Sequence, residues 1–312
     1  MCGTAIDSAW GVGMHAQPAK SRGFVLSWCG REALDSRMQR MTDLLAAANA
    51  PASPQGRFWG LIPCAGIGAR AIPAGAPAPD LPKQYQQVAG QPMVLHTLAA
   101  FAGVRRLAGT LVAVAPHDRF LDSHHSPSWW HVPCGGATRA ETVIGGLRTL
   151  LNRGAEQHDW VLVHDAARCL VTAAQINQLI EACEHDSVGG LLAHKLPDTL
   201  KAAETDATGV RVAATVDRSD KWLAQTPQMF RLGVLLEALN HMGAAATDEA
   251  SAMEAMGYRP QLVPGGAQNF KVTYPDDFAL AEAVLTQRGG DAMLEHIKGT
   301  CGNLQPAGSS FF

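Results

Sequence analysis

The first stretch that could hold a phosphate-bearing ligand is PCAGIGAR, which is followed by LPKQY. It contributes Gly66, Gly68 and Arg70, and Lys83 comes after a Pro/Ala-rich segment. Small residues let backbone N–H groups approach an anion, and the arginine and lysine can neutralise its charge. The pattern indicates anion binding. A plain turn between a strand and a helix, with a surface arginine, remains the alternative.

This stretch differs from two common nucleotide motifs. A dinucleotide fingerprint G-x-G-x-x-G would have a third glycine where this sequence has Ala71, although alanine is sometimes tolerated there. The lysine of a G-K-[ST] phosphate loop is also missing. An NAD(P)-dependent oxidoreductase would explain a first glycine turn, but it would not explain Lys83 or the features described next.

Two further stretches bring polar groups to the ends of predicted strands. CGGATRAET places Gly135 and Gly136 before a helix predicted to begin near residue 138 or 139, and VLVHDAAR places Asp165 and Arg168 after a buried strand. A carboxylate at such a position can hold a sugar hydroxyl or a metal, and the arginine can meet a second anion. Asp165 as a helix N-cap is the simpler alternative.

Strands that alternate with helices position these groups. Predicted strands end at PCAG, VAVAP, VLVHD and LLAHK, and helical periodicity follows the first three. The alternation predicts an α/β fold with a doubly wound, mostly parallel, Rossmann-like sheet. Ligands of such sheets lie outside the carboxyl ends of the strands, where the strand order switches.

The remaining segments complete the predicted organisation. Residues 121–133 are predicted to be a loop, residues 197–226 a β-hairpin arm that protrudes from the α/β body, and NFKVTYP a short strand. A last helix is predicted to begin at Pro275, where acidic residues complement the helix dipole. The predicted domain spans residues 57–288, with residues 289–312 as a C-terminal tail.

The first 56 residues show no α/β pattern. We expect residues 1–56 to be a disordered or non-native extension, with Met41 as a possible natural start. A short helix packed on the domain surface is the alternative for the segment after Met41.

Composition narrows the function classes. The chain has 312 residues, a net charge of −3 and a mean hydropathy of −0.01. These values do not indicate nucleic-acid binding or a membrane surface, and no apolar run approaches the ~20 residues of a membrane span. Seven cysteines without a C-x-x-C pair favour reduced thiols, and no secretory signal is visible, so a cytoplasmic protein is expected.

Eight motifs occur together in one order and resemble a known family. They are the first glycine turn with its arginine, then PKQY, GGATR, VHDAAR, DTLK, DRSDKWLAQTPQMF, TDEASAME and NFKVTYPDD. This order is similar to that of the 2-C-methyl-D-erythritol 4-phosphate cytidylyltransferases, over about residues 57–288. The resemblance implies transfer of CMP from CTP to methylerythritol phosphate, with release of pyrophosphate. The attacking phosphate oxygen is already anionic, so the chemistry needs cations rather than a general base.

The resemblance also implies roles for individual residues. Arg70 and Lys83 would stabilise the transition state on the triphosphate, and Lys271 would reach the α-phosphate. The implied nucleotide-binding residues are Cys64, Ala65, Gly66, Gly68, Gly136, Ala137 and Thr142. The implied residues for the second substrate are Asp165, Arg168, Thr199, Arg218, Thr226 and Lys271.

The resemblance implies a metal and a partner as well. Mg²⁺ would bridge the phosphates, with Asp165 as the candidate protein ligand unless it serves the polyol or ribose hydroxyls. The arm residues Arg218 and Thr226 would complete the site of a neighbouring subunit, so a homodimer is expected.

Two departures from the family pattern concern the site. Cys169 replaces the usual proline after DAAR, where a small filler is expected rather than a nucleophile, and the loop at 71–82 is long, so it could act as a lid. The nearest rival within the class is a ribitol-5-phosphate cytidylyltransferase, which would share the nucleotide half.

Overall fold

A seven-stranded sheet carries the residues discussed above. The computed structural model describes residues 56–66 and 81–301, with residues 291–301 as backbone only. These residues belong to a unit that begins at Ala52. Residues 1–55 of the predicted extension, residues 71–80 of the predicted loop, Gly68 and Arg70 lie outside the described residues.

The elements follow the predicted alternation. The strands are β1 (Phe58–Cys64), β2 (Gln87–Val88), β3 (Gln91–Pro92), β4 (Leu107–Val114), β5 (Trp129–Val132), β6 (Trp160–Val163), β7 (Gly189–Lys195), β8 (Leu200–Asp206), β9 (Gly209–Val216), β10 (Trp222–Arg231) and β11 (Gln261–Pro264). The helices are α1 (Met93–Ala102), α2 (Arg139–Asn152), α3 (Ala173–Cys183), α4 (Leu232–Met242), α5 (Glu249–Ala255) and α6 (Pro275–Cys301). Short 3₁₀ turns cover Lys83–Tyr85, Phe120–Ser123 and Gly243–Ala245.

The strand order of the main sheet is β11-β7-β10-β6-β1-β4-β5. Strand β10 runs antiparallel to β6 and β7, and the other neighbouring strands are parallel. Because β1 lies between β4 and β6, the chain crosses from one side of β1 to the other, which creates a switch in strand order at its carboxyl end. The predicted α/β fold with a mostly parallel sheet is confirmed.

Apolar clusters cover both faces of the sheet. Along β1, Leu61 packs in one cluster and Ile62 in the other, because successive side chains of a strand point to opposite faces. Helices α1 and α3 contribute side chains to the cluster of Ile62, and α2, α4 and α5 to that of Leu61. The sheet is therefore held rigidly between two helical layers.

Capping residues fix where three helices begin. Thr138, Thr172 and Asp248 each accept a hydrogen bond from the backbone of the third helical residue, and that residue's side chain accepts one in return. These capping boxes satisfy N–H groups that the first helical turn leaves unpaired. Two of them, at Thr138 and Asp248, start the helices that flank the site described below.

Strands β8 and β9 form a separate two-stranded sheet, the arm. Most of its residues are exposed, including Val210 and Val212 with exposed fractions of 72% and 61%. The predicted hairpin is present. The next strand along the chain, β10, begins at the base of the arm but pairs within the main sheet. Thr226, which was predicted to lie in the arm, is therefore on a buried central strand.

Three segments differ from the sequence-based expectation. The predicted loop 121–133 contains the edge strand β5, which pairs with β4. NFKVTYP forms no strand, because its backbone makes only isolated hydrogen bonds instead of a ladder. One of them runs from the Val272 N–H to the Ala167 carbonyl at 2.9 Å. Helix α6 continues to Cys301, past the residue where the tail was predicted to begin.

The described part of the chain was also searched for membrane spans. None of its helices combines the length and apolar character that crossing a bilayer requires.

Candidate functional site

The carboxyl end of β1 lies against the glycine turn that precedes α2. The Gly135 N–H donates to the Val114 carbonyl at 2.9 Å. A Cβ atom on Gly135 would come within 2.4 Å of the Ala65 Cβ, so the close approach requires glycine. A first cavity opens between the two turns. Its lining includes Cys64, Ala65, Gly66, Lys83, Gly136, Ala137 and Thr142.

Hydrogen bonds within the glycine turn hold it in place. The Gly136 N–H donates to Thr142 Oγ1 at 3.1 Å, and the Ala137 N–H donates to Glu141 Oε2 at 2.8 Å. The Thr142 hydroxyl itself donates to the Thr138 carbonyl at 2.9 Å. Because these N–H groups and this hydroxyl already have partners within the turn, their role is to hold the turn that lines the cavity.

Asp165 follows β6 and is contacted by three cations. Its Oδ1 accepts from Arg139 Nε at 3.0 Å, and its Oδ2 lies 2.8 Å from Lys271 Nζ and 3.6 Å from Arg168 Nε. Burial by itself would raise the pKa of Asp165, but the charges of Arg139, Lys271 and Arg168 outweigh it and hold this pKa well below its usual range. Asp165 is therefore ionised at any physiological pH.

The segment before α6 brings Lys271 and Lys83 to the same place. Arg168 Nη1 donates to the Asn269 carbonyl at 2.8 Å, and this bond ties the segment to the loop after β6. Lys83 Nζ donates to the Val272 carbonyl at 2.5 Å. Although Lys83 and Lys271 are far apart in sequence, both line the first cavity.

A neutral histidine connects Thr226 to the loop of Asp165. His164 Nε2 donates to the Arg168 carbonyl at 3.2 Å, because a carbonyl can only accept. Its Nδ1 therefore accepts from the Thr226 hydroxyl at 2.9 Å, and Thr226 Oγ1 accepts from the Asp165 N–H at 3.1 Å. Burial lowers the pKa of His164 to about 4, so the ring is neutral near pH 7.

A second cavity lies beside the first. Arg139, Asp165 and Lys271 line both cavities and thus form the wall between them. The second cavity is also lined by Arg168 and Thr226. Two ligands placed in these cavities would meet at a wall that carries cations.

Two predicted residues lie apart from this pair of cavities. Thr199 and Arg218 are exposed at the base of the arm, and neither is among the described residues that line either cavity. The predicted places of Arg218 in a neighbouring subunit's site and of Thr199 at the second substrate stay predictions, as do the roles of Gly68 and Arg70, which lie outside the described residues. Thr226, predicted to cross with Arg218, instead lines the second cavity of its own chain.

Two cysteines near the cavities are buried thiols. Burial raises the pKa of Cys64 to about 12 and that of Cys169 to about 11, so both are protonated near pH 7. Cys169 packs in an apolar cluster with Leu170, Val272 and Ala281. This environment is that of a small filler, which is how Cys169 was interpreted from the sequence.

Sequence reasoning missed Arg139 and Glu249. Arg139 is the first residue of α2, and its Nη1 and Nη2 donate to Glu249 Oε1 and Oε2 at 2.7 and 3.0 Å. Both residues lie in motifs that carried the family resemblance, GGATR and TDEASAME. The presence of one basic and one acidic residue in two of the family motifs could have suggested a pair. However, neither motif by itself shows that the two side chains meet.

The described residues do not form a protein site for a metal ion. No group of three or more His, Cys, Asp or Glu side chains in this part of the chain is arranged to hold one. Both carboxylate oxygens of Asp165 are already held by cations, which repel a metal. This arrangement does not fit the predicted role of Asp165 as a metal ligand.

Comparison with known proteins was consistent across sequence and structure. A family model described as 2-C-methyl-D-erythritol 4-phosphate cytidylyltransferase matches residues 59–287. A bifunctional IspD/IspF enzyme of Albidiferax ferrireducens is 62% identical over 239 residues, which are 76% of this chain and 55% of the enzyme. The chain thus spans about half the length of that relative.

Shorter relatives are matched over nearly their whole length. A 2-C-methyl-D-erythritol 4-phosphate cytidylyltransferase of Cupriavidus pinatubonensis is 46% identical over 245 residues, which are 73% of this chain and 94% of the relative. The crystal structure of the Francisella tularensis 2-C-methyl-D-erythritol 4-phosphate cytidylyltransferase is 32% identical, with a TM-score of 0.60. That match covers 73% of this chain and 99% of the solved chain.

Proposed function

The chain belongs to the 2-C-methyl-D-erythritol 4-phosphate cytidylyltransferase family, and we propose that it transfers the CMP moiety of CTP to 2-C-methyl-D-erythritol 4-phosphate. A phosphate oxygen of the polyol phosphate forms a bond to the α-phosphorus of CTP. The bond from that phosphorus to the oxygen bridging to the β-phosphorus breaks, and pyrophosphate leaves. The product, 4-diphosphocytidyl-2-C-methyl-D-erythritol, is an intermediate of non-mevalonate isoprenoid biosynthesis.

The observation that carries this proposal is the shared wall of the two cavities. CTP in the first cavity and the polyol phosphate in the second would bring an anionic oxygen and the α-phosphate together beside Lys271 and Arg139. Two anions repel one another, so gathering them requires fixed positive charge. The wall and its surroundings provide Lys83, Lys271, Arg139 and Arg168 against two carboxylates, that of Asp165 and that of Glu249, which pairs with Arg139.

In the first cavity, the small residues would admit the cytidine. The N–H groups of Gly136 and Ala137 are bonded inside the turn, so reading of the base by these residues falls to their carbonyl oxygens. Thr142 supports this turn. Lys83, which lines this cavity, would neutralise the triphosphate together with Arg70.

In the second cavity, Asp165 would accept hydrogen bonds from polyol hydroxyls, and Arg168 and Lys271 would hold the phosphate. The proton of the Thr226 hydroxyl is donated to His164, so Thr226 contributes by holding the Asp165 backbone. Thr199 and Arg218 would act from the arm of a neighbouring subunit.

We include Mg²⁺ as a counter-ion of the triphosphate, held by phosphate oxygens and water rather than by carboxylates of the described residues. The donor set around Asp165 supports this choice, since its oxygens bind cations of the protein. When bound, the ion would offset part of the negative charge of CTP.

The proposal includes a homodimer and a cytoplasmic location. Val210 and Val212, exposed on the same face of β9, support pairing with a second copy, because apolar side chains exposed together often mark an interface. Cys64, Cys134, Cys169 and Cys183 are free thiols in the described part of the chain, and free thiols are usual in a reducing compartment.

Phosphorus NMR of the purified protein with CTP, Mg²⁺ and methylerythritol phosphate tests the proposal. We expect the α-phosphorus signal of CTP to be replaced by the two signals of a diphosphate diester, with pyrophosphate in equal amount. A spectrum in which CTP persists while methylerythritol phosphate is unchanged would overturn the assignment. Conversion of CTP with ribitol 5-phosphate, and not with methylerythritol phosphate, would show that the protein is a ribitol-5-phosphate cytidylyltransferase.

A further inference from the structure

Glu249 heads a chain of charged groups that runs from the protein interior to the wall between the cavities. The Glu249 side chain is fully buried, and its two oxygens accept from Arg139 Nη1 and Nη2. The third donor position of that guanidinium, Nε, is directed at Asp165 Oδ1. The chain Glu249–Arg139–Asp165 therefore uses one arginine to connect two carboxylates from different elements.

Such a chain is a poor device for stability alone. Removing charges from water is costly, and well-packed apolar side chains often replace a buried ion pair without loss of stability. Its value lies in geometry, because a guanidinium held by a bidentate carboxylate has a fixed plane and a fixed Nε direction. The helix that bears Glu249 is itself anchored, since Ala250 N–H donates to Gln228 Oε1 of β10 at 2.7 Å.

The fixed guanidinium leaves the second oxygen of Asp165 to other partners. Oδ1 is taken by Arg139, and Oδ2 lies 2.8 Å from Lys271 Nζ. Without Glu249, the guanidinium could turn its fork onto both oxygens of Asp165, which would compete with Lys271 for Oδ2. The orientation of Asp165 toward the second cavity thus depends on a residue that no ligand can touch.

We propose that Glu249 is a positioning residue for the polyol-phosphate half of the site, acting through Arg139 on Asp165. The inference rests on the proposed function, because it assigns Asp165 to the polyol phosphate. Glu249 sets the plane of Arg139, Arg139 sets the rotamer of Asp165, and Asp165 then presents one oxygen between Lys271 and Arg168.

The test is a kinetic comparison of Glu249→Gln with the wild type and with Glu254→Gln. Glu254 is an exposed residue of the same helix, so it is a matched control. The glutamine at 249 would turn an N–H group toward Arg139 and break the bidentate pair. We expect KM for methylerythritol phosphate to rise about tenfold or more, with KM for CTP changed less than about twofold and with Glu254→Gln like the wild type.

A double-mutant cycle with Asp165→Asn separates positioning from a general structural effect. If Glu249 acts through Asp165, adding Glu249→Gln to Asp165→Asn lowers kcat/KM for the polyol phosphate by less than about twofold more. The inference would be overturned if the two substitutions lowered kcat/KM by independent factors that multiply in the double variant. It would also be overturned if Glu249→Gln weakened CTP binding as much as polyol-phosphate binding. Glu249→Asp provides the same test if Glu249→Gln does not fold, because aspartate keeps the charge but its shorter side chain cannot hold both Nη1 and Nη2 of Arg139 in the same geometry.

Pyrophosphate release by the wild type distinguishes a failure of this inference from a failure of the proposed function. A wild type that releases no pyrophosphate from CTP and methylerythritol phosphate defeats the function and the inference together. An active wild type with an unaltered Glu249→Gln variant defeats the inference alone.

Discussion

Asp165 and His164, neighbours at the end of β6, are held in opposite ways. Asp165 is ionised because cations surround it, and His164 is neutral because it is buried and bonded on both nitrogens. A carboxylate kept charged and an imidazole kept uncharged give the site a fixed electrostatic pattern over the physiological pH range. In the proposed mechanism no proton is removed from the attacking phosphate oxygen, so His164 has a supporting role only.

His164 makes the stability of the protein depend on pH. Its folded pKa of about 4 lies below the ordinary value of 6.5, so between these values the unfolded chain binds more protons than the folded one. Stability is therefore lost as the pH falls from 6.5, and the loss approaches about 3 kcal/mol near pH 4.

The variant His164→Gln lacks this titration. We expect urea unfolding to show a smaller fall in the free energy of unfolding between pH 7 and pH 4.5 for the variant than for the wild type. Because other groups titrate in both proteins, the difference between the two curves is the quantity to compare. Parallel curves would mean that His164 gains its proton in the folded protein at its ordinary pKa, without the lowering by burial.

At the scale of elements, the start of α2 serves both the fold and the site. Thr138 caps α2, and its carbonyl accepts from the Thr142 hydroxyl beneath the first cavity. Thr172 caps α3 in the same way, but it is not among the residues that line the two cavities. The two caps form a matched pair for separating stability from ligand binding.

Replacing either threonine by alanine removes one capping hydrogen bond. We expect Thr138→Ala and Thr172→Ala each to lower the free energy of unfolding by about 1 kcal/mol. Only Thr138→Ala should also raise KM for CTP, because it loosens the turn of Gly136 and Ala137. Steady-state kinetics at saturating polyol phosphate measures this, and equal KM values for the two variants would contradict it.

The sequence predicted the elements better than their contacts. Buried strands such as β1 and the start of the helix near residue 138 depend on short segments, so local patterns were sufficient to predict them. The antiparallel entry of β10 into the main sheet and the pairing of Arg139 with Glu249, 110 positions apart, depend on strand order. No local pattern contains that information. The interpretation of β5 as a loop has a different cause, since four residues at a sheet edge show too little periodicity to predict a strand.

Asp165 and Arg168 were predicted from charge at the end of a strand, Lys83 from charge near the small-residue turn, and Lys271 through the family resemblance. Asp165, Arg168, Lys83 and Lys271 come together around the wall of the cavities. The connecting residues His164 and Glu249 were not predicted as parts of the site, because their effect on it passes through hydrogen bonds to other side chains and backbone.

For the whole molecule, the proposal is that two copies share their sites. The arm exposes Val210 and Val212, and Arg218 at its base is exposed and is not among the described residues that line either cavity. In the proposed homodimer, Arg218 of one subunit completes the site that contains Lys83 of the other. Each site then needs one residue from each chain.

Mixing two inactive variants tests this sharing. We expect Lys83→Ala and Arg218→Ala each to lose most of their turnover. After subunit exchange, a mixed dimer carries both lesions in one site and none in the other, so an equal mixture should regain about a quarter of the wild-type sites. Mixtures with no regained turnover, despite exchange seen by labelled subunits, would place Arg218 in its own chain's site, and a fully active Arg218→Ala variant would place it outside the reaction.

Pyrophosphate release with two polyol phosphates tests the central claim most directly. The purified protein is supplied with CTP and Mg²⁺ and with either 2-C-methyl-D-erythritol 4-phosphate or ribitol 5-phosphate, and kcat/KM is measured for each. The proposed site predicts pyrophosphate release with methylerythritol phosphate and a kcat/KM at least about a hundredfold lower with ribitol 5-phosphate. Release with ribitol 5-phosphate alone, or with neither compound, would contradict the account.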